Sequence, residues 1–145
     1  MTANKVKQLG WTPVNINSLE GRTYVITGST SGIGLETTRL LLANNATVIM
    51  LNRNISKSLD IMLLLKQEFG EDVRVSFIPM DLSDLSNVKK AATEVLQTTP
   101  KIDALICNAA IAQIPKRELT KDGFESQLGA NHLGHFLLSG MLFRR

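Results

Sequence analysis

The sequence predicts an α/β protein built on a doubly wound parallel sheet of the Rossmann type. From residue 21 onward, short apolar segments alternate with segments of helical periodicity. The short segments are apolar on both faces, which is typical of parallel strands covered by helices on both sides. A glycine-punctuated turn directly follows the first of them. With right-handed crossovers, these observations predict the strand order 3-2-1-4.

The predicted strands and helices alternate along the chain. Strands are predicted at residues 24–27, 47–51, 73–78 and 104–107. One helix is predicted at residues 33–44, and apolar residues at helical spacing predict two more within 55–69 and 85–95. A last helix is predicted to begin near Asp122, because Asp122 and Glu125 have the spacing of a capping box.

Length and composition favour one intracellular domain. We place this domain at residues 21–145, and the polar residues 1–20 are predicted to form an arm whose Trp11 packs on it. The net charge is only +3 and the basic residues are scattered, so nothing indicates nucleic-acid binding. Cys107 is the only cysteine, which favours a reducing compartment, and we expect a cytoplasmic location. No apolar run reaches the roughly 20 residues of a membrane span.

The most informative stretch is the turn after the first strand. Its glycines, Gly28, Gly32 and Gly34, have the spacing G-x-x-x-G-x-G. Backbone N–H groups in such a turn, with the positive end of the following helix dipole, favour a pyrophosphate. Gly28 is expected to permit a sharp turn, Gly32 a close approach of the phosphates, and Gly34 close packing of the helix on the strand. The alternative is an ordinary strand–turn–helix connection, but the flanking strand and helix favour a dinucleotide site.

The end of the second predicted strand bears on the choice of cofactor. NAD-specific sites usually place a carboxylate about 20 residues beyond the glycines, where it binds the ribose 2′-hydroxyl. Here the residue is the neutral Asn52, and Arg53 follows it. A guanidinium can pair with a 2′-phosphate in a forked geometry. Arg53 could also be a solvated surface residue, but its position favours NADP over NAD.

The third predicted strand leads into Asp81 and Leu82. The Asp81 carboxylate can accept a hydrogen bond from the adenine amino group while Leu82 packs on the ring. Alternatively, Asp81 caps the following helix, a role that Ser83 or Asp84 could also fill.

Two histidines, His132 and His135, are one helical turn apart in the last predicted helix. That spacing could suit a metal ion. No acidic or thiol partner has matching spacing, so we predict a packing role and no metal site.

Four segments in the correct order resemble motifs of the short-chain dehydrogenase/reductase family. Thr27-Gly28-Ser29-Thr30-Ser31-Gly32-Ile33-Gly34 resembles the cofactor motif T-G-x-x-x-G-I-G, and Asp81-Leu82 resembles the adenine-pocket pair. Cys107-Asn108-Ala109-Ala110 resembles the N-N-A-G segment, and Asn131-His132-Leu133-Gly134-His135-Phe136 resembles the helix that carries the family's relay asparagine. Within the family, the runs at 119–123 and 131–136 resemble those of retinol dehydrogenases and the WW-domain-containing oxidoreductase. The resemblance covers residues 21–145.

The resemblance implies a role for each matched residue. It places the pyrophosphate along the glycine-punctuated turn, the 2′-phosphate at Arg53, and the nicotinamide ribose over Asn108 and Ala109. Ala110 replaces the family's glycine, so its methyl group is expected either to crowd the ribose or to strain a positive φ. The implied cofactor-binding residues are Gly28, Ser29, Thr30, Ser31, Gly32, Ile33, Gly34, Arg53, Asp81, Leu82, Asn108, Ala109 and Ala110.

Asn131 is implied to be the catalytic residue of this chain, since it would hold a water molecule in the family's proton relay. The alternative is structural. Asn131 shares a helical stripe with Phe124 and Leu128, so it is expected to be buried and could satisfy a backbone kink.

Hydride transfer in this family also needs a serine and a Tyr-x-x-x-Lys pair. The only tyrosine here is Tyr24, and the residue four positions later is Gly28. The chain is therefore expected to be the NADP(H)-binding portion of such an enzyme, truncated after the fourth strand and its following helix. The full-length family member would act on an alcohol or carbonyl substrate, and a homo-oligomer is compatible with it. The alternative is a shortened, non-catalytic nucleotide-binding or interaction module.

Overall fold

A computed structural model describes residues 12–143. It contains a four-stranded sheet in the order β3-β2-β1-β4 in which every neighbouring pair is parallel. The strands are β1 at Thr23–Thr27, β2 at Thr47–Asn52, β3 at Val75–Pro79 and β4 at Ala104–Ile106. The predicted fold class and strand order are confirmed. Trp11, and the packing expected of it, lies outside the described residues.

Successive strand residues pack on opposite faces of the sheet, because side chains alternate along a strand. Val25 of β1 contributes to an apolar cluster beneath the third and last helices, whereas its neighbour Ile26 contributes to the cluster beneath the first two. Both side chains are fully buried. Helices therefore cover both faces, as the two-sided apolar character of the strands predicts.

Three long helices connect the strands, and the second and third begin with a side-chain N-cap. They are α1 at Gly32–Ala43, α2 at Ile55–Phe69 and α3 at Leu85–Thr98. Asn54 caps α2, its side chain accepting a hydrogen bond from Lys57 N at 2.9 Å. Asp84 caps α3, its carboxylate accepting from the backbone N–H groups of Ser86 and Asn87 at 2.9 and 3.2 Å. These caps satisfy helix N–H groups that have no intrahelical partner.

The last helical region begins later than predicted. Its first helical residue is Ser126, and the N-cap is Glu125, whose carboxylate accepts from Gln127 N and Leu128 N. Asp122 does not begin this helix. Its carboxylate instead accepts a hydrogen bond from Leu85 N at 2.9 Å, so it holds the loop against the start of α3.

The region then changes its helical pitch. A short helix, α4, at Ser126–Leu128 continues into a π-helix at Gly129–Gly134 and then into α5 at His135–Leu142. Gly134 packs against Leu82, and a Cβ at this position would lie only 2.6 Å from the Leu82 carbonyl oxygen. Short π-helical segments are rare and frequently mark functional positions.

Other boundaries differ by one to three residues: β3 begins at Val75 and ends at Pro79, and α3 continues to Thr98. The last residues of the predicted arm contact the domain. Leu19 packs against the cluster beneath α1 and α2, and its N–H donates to Asn44 O at 2.7 Å. None of the helices between residues 12 and 143 combines the length and the apolar character needed to cross a membrane.

Candidate functional site

A cavity of about 430 Å³ opens at the carboxyl ends of β1, β2 and β3, beside the segment that follows β4. This is the place where doubly wound sheets bind ligands, because the crossover direction reverses between β1 and β4. The cavity wall includes many of the predicted site residues: Gly28, Thr30, Ser31, Arg53, Asp81, Leu82, Ala109, Ala110 and Asn131. The cavity lining does not include the other predicted residues, which are Ser29, Gly32, Ile33, Gly34 and Asn108.

The turn at residues 28–34, here called the glycine turn, is tightly built. Gly28 has a φ of +68°, and a Cβ there would lie 2.8 Å from Ala109 Cα, so only glycine fits. A Cβ at Gly34 would collide with the Gly28 carbonyl oxygen and lie 2.5 Å from Asn108 Nδ2. The close approach predicted for Gly34 is present, but it is made to the turn and to Asn108 rather than along the strand.

Gly32 differs from the other two glycines. Its φ is +54°, and an added Cβ would meet no atom within 4 Å. The N-cap residue Ser31 makes no side-chain capping bond among the residues that the structure describes. The first N–H groups of α1 are therefore open to a ligand at this end of the helix, which carries a partial positive charge.

Asn52 does not act as a free polar group at the cofactor position. It is 4% exposed, and its Oδ1 accepts a hydrogen bond from Ser29 N at 2.8 Å. Its Nδ2 donates to Ser29 Oγ at 3.1 Å. The side chain therefore anchors the glycine turn to the end of β2. The sequence places Asn52 correctly at the end of β2, but it does not reveal this interaction.

Two cations border the same end of the cavity. Arg53 and Lys57 both line it and both are exposed. Lys57 was not anticipated as a site residue. It lies on the first turn of α2, whereas Arg53 precedes the N-cap Asn54, and both residues line the cavity.

The Asp81 carboxylate forms a turn with Ser83, whose N–H and hydroxyl both donate to it, at 2.9 and 2.6 Å. The cap of α3 is Asp84. A hydrogen bond from the Lys121 ammonium at 2.6 Å, with a second from Ser86, holds the pKa of Asp84 well below its usual range. Of the alternatives for Asp81, helix capping is therefore excluded, and its side chain stays at the cavity wall.

Residues 108–111, here called the floor segment, pass beneath the cavity. Asn108 Nδ2 donates to Thr27 O and Gly28 O, both at 3.0 Å, and so ties the segment to the glycine turn. Asn131 pairs with both backbone groups of Ile111, accepting from its N–H and donating to its carbonyl, each at 2.8 Å. The floor segment is thus fixed at both ends by asparagine side chains.

Asn131 is less buried than its helical stripe predicts. Phe124 and Leu128, expected to be buried with it, are 40% and 51% exposed. The stripe assumes a regular helix, whereas Asn131 lies in the π-helix and Phe124 precedes the helical region.

Thr27 and His135 were not predicted as site residues, although they join several parts of the site. Thr27 Oγ1 accepts from Asn108 N and Ala109 N, both at 3.0 Å, and lies 2.9 Å from His135 Nε2. A hydroxyl at the end of an apolar strand is a signal in the sequence, but nothing there reveals a partner more than a hundred positions away. His132 is exposed and contacts the Phe136 ring instead.

A metal ion would need ligands beyond the two histidines. Across residues 12–143, no three His, Cys, Asp or Glu side chains come close enough together to hold an ion. Both ring nitrogens of His135 are already engaged, at Thr27 and at the Asn131 carbonyl.

Comparison with known proteins places these features in a family. The sequence profile described as short chain dehydrogenase matches residues 22–145. The chain is 38% identical to retinol dehydrogenase 14 of Mus musculus over 133 residues, covering 86% of this chain and 40% of the relative. It is 40% identical to the WW domain-containing oxidoreductase of Danio rerio over 124 residues, covering 86% of this chain and 30% of the relative. The resemblance noted in the sequence is confirmed.

The fold is also similar to that of solved structures. A crystal structure of an uncharacterized protein from Mycobacterium paratuberculosis is 40% identical, with a TM-score of 0.80, covering 94% of this chain and 47% of that one. The RhlG/NADP active-site complex from Pseudomonas aeruginosa is 26% identical, with a TM-score of 0.72, covering 87% of this chain and 48% of that one. The chain spans only 30% to 43% of the length of these and other similar curated relatives.

Proposed function

This chain belongs to the short-chain dehydrogenase family, and we propose that it is the NADP(H)-binding portion of an oxidoreductase. The complete enzyme would transfer hydride between NADP(H) and a small alcohol or carbonyl substrate. The observation that carries the proposal is the cavity at the carboxyl ends of β1–β3, with the open N-terminus of α1 on one side and Arg53 on the other.

The pyrophosphate would lie against the glycine turn. Its charge is favoured there by the positive end of the 12-residue helix α1 and by free backbone N–H groups. Gly32 supports this arrangement, because a Cβ added there would meet no atom within 4 Å apart from those of its chain neighbours. Asn52 supports it indirectly by fixing Ser29.

NADP is proposed over NAD because of the charges around the adenosine end. Arg53 and Lys57 line the cavity against one carboxylate, Asp81, and the residue at the end of β2 is the neutral Asn52. A 2′-phosphate would pair with Arg53 and would meet no carboxylate at the end of β2. The RhlG complex with NADP, a relative in fold, is consistent with this choice.

The nicotinamide would extend over the floor segment toward Asn131. Ala109, Ala110 and Ile111 line this part of the cavity. Asn131 would hold a relay water next to it, a role that the resemblance implies. A cytoplasmic location and a homo-oligomeric state in the complete enzyme belong to the same proposal.

One observation favours a second candidate, a nucleotide-binding module without catalysis. The sequence has a single tyrosine, Tyr24, which lies in the middle of the sheet, paired with Val48 and Ala104. It does not line the cavity, so this chain presents no phenol there as a proton donor. Both candidates require nucleotide binding. Turnover of a carbonyl substrate by the purified chain would exclude the second.

The proposal is tested by titrating the chain with NADPH and with NADH. NADPH should bind more tightly, and Arg53→Ala should weaken NADPH alone by about 1–3 kcal/mol, the value of a hydrogen bond to a charged group. Lys90→Ala is the matched control, because it removes the same charge from the exposed side of α3, away from the cavity. Added salt should narrow the gap between the two cofactors. Equal affinities for both cofactors, unchanged in Arg53→Ala, would contradict the assignment.

A further inference from the structure

Hydrogen bonding around Thr27 determines the tautomer of a buried histidine. The Thr27 hydroxyl oxygen accepts from two backbone N–H groups, those of Asn108 and Ala109, each at 3.0 Å. A hydroxyl has two acceptor lone pairs and one hydrogen. Its hydrogen must therefore point to the remaining neighbour, His135 Nε2, at 2.9 Å.

The other ring nitrogen confirms the same assignment. His135 Nδ1 lies 3.0 Å from the Asn131 carbonyl oxygen, which can only accept. The proton of the neutral ring is therefore on Nδ1, and Nε2 is the acceptor. His135 is 7% exposed, so water does not readily replace either partner.

The change of helical pitch at the end of the π-helix makes this contact available. In a regular α-helix, the N–H of His135 would bond to the carbonyl four residues earlier, which is that of Asn131. Here it bonds to His132 O instead. The Asn131 carbonyl is thereby available to the imidazole of His135.

We propose that His135, as the neutral Nδ1–H tautomer, is a positioning residue for the nucleotide site. It orients the Thr27 hydroxyl, and that hydroxyl holds the start of the floor segment through Asn108 and Ala109. Through its other nitrogen it also links to Asn131, whose side chain holds Ile111 at the end of the segment. One ring thus joins both anchors of the floor segment without touching the cavity itself.

This inference rests on the proposed function only in its effect on nucleotide binding. The tautomer and the anchoring can be measured without any nucleotide. Nitrogen NMR of the chain labelled at histidine should show a protonated Nδ1 and an unprotonated Nε2 for His135. A protonated Nε2 in the neutral ring would overturn the assignment.

The anchoring is tested by amide hydrogen exchange in the nucleotide-free chain. His135→Leu should accelerate exchange at Asn108 and Ala109, because the Thr27 hydroxyl loses its acceptor. His135→Gln, whose amide oxygen can replace Nε2, should restore part of the protection. His132→Leu is the control, since that exposed ring takes no part in these bonds. Unchanged protection at both amides in folded His135→Leu would refute the proposal.

Nucleotide affinity provides the last readout. His135→Leu should bind NADPH roughly twofold to tenfold more weakly, the effect of one hydrogen bond, and His135→Gln should fall between it and the parent. If His135→Leu does not fold, His135→Gln is compared with the parent chain. Equal amide exchange and equal NADPH affinity in these two chains would refute the proposal. If the parent chain binds no NADPH, the proposed function fails, while the tautomer and exchange measurements still test the anchoring.

Discussion

Replacing Gly34 by alanine adds only one methyl group, but it should strongly destabilise the glycine turn. The new Cβ would overlap the Gly28 carbonyl oxygen and come within 2.5 Å of Asn108 Nδ2. Neither neighbour is the end of a flexible chain. One is backbone, and the other is an amide that makes two hydrogen bonds, to Thr27 O and Gly28 O.

The expected decrease in the free energy of unfolding follows from these contacts. Overpacking of a close contact costs about 1–3 kcal/mol. Losing the two bonds of Asn108 costs about 0.5–1.5 kcal/mol each. Alanine recovers about 1 kcal/mol of helix propensity. The free energy of unfolding should therefore fall by roughly 1–5 kcal/mol, which is a large part of the stability of a small domain.

Urea unfolding followed by circular dichroism measures this loss, and Gly140→Ala is the matched control. Gly140 lies in α5, and an added Cβ there meets no atom within 4 Å, so that variant should be unchanged or slightly more stable. NADPH affinity should also fall in Gly34→Ala, since Gly28 and Asn108 both have to move. If Gly34→Ala is as stable as Gly140→Ala and binds NADPH normally, the reasoning about the turn is wrong.

Two further predictions concern the turn and the loop that docks on α3. Gly32→Val should lose NADPH binding, because a branched residue is strained at a φ of +54° and its side chain would occupy the space assigned to the phosphates. Normal NADPH binding by a folded Gly32→Val variant would contradict this prediction. Stability should fall as the pH drops below about 4, because the pKa of Asp84 is lowered in the folded chain, so the unfolded chain binds a proton there more readily. Lys121→Met should make that fall shallower in acid unfolding monitored from pH 7 downward, and an unchanged pH dependence would show that the ion pair is not its source.

The sheet could be predicted because the sequence signals for its strands and helices lie within short segments of the chain. Each strand is a short apolar run, and the alternation with helices fixes a parallel topology, so the order β3-β2-β1-β4 follows from general rules. The glycine turn was found for the same reason, since its three glycines lie within seven positions of one another. Arg53 and Asp81 are predicted at the cavity because each lies within three residues of the end of a predicted strand.

What could not be predicted depends on contacts between distant residues. Nothing near Asn52 indicates that its amide would be buried against Ser29. The start of the last helix was misjudged because Asp122 and Glu125 have capping-box spacing, and only the docked loop shows that Asp122 bonds to Leu85. The spacing of apolar residues does not reveal the π-helix either. A regular helical pattern therefore predicts neither the contacts of His135 nor the exposure of Leu128.

The central claim is that this chain binds a dinucleotide in the cavity at the ends of β1–β3, and NMR mapping tests it most directly. Amide spectra recorded during an NADPH titration should saturate, with the largest shifts at Gly28, Ser31, Arg53 and Ala109. The phosphorus resonance of the 2′-phosphate should shift in the same titration, and at equal NADPH concentration it should shift less in Arg53→Ala. A folded chain whose spectra do not change, or whose shifts cluster away from the glycine turn, would contradict the account.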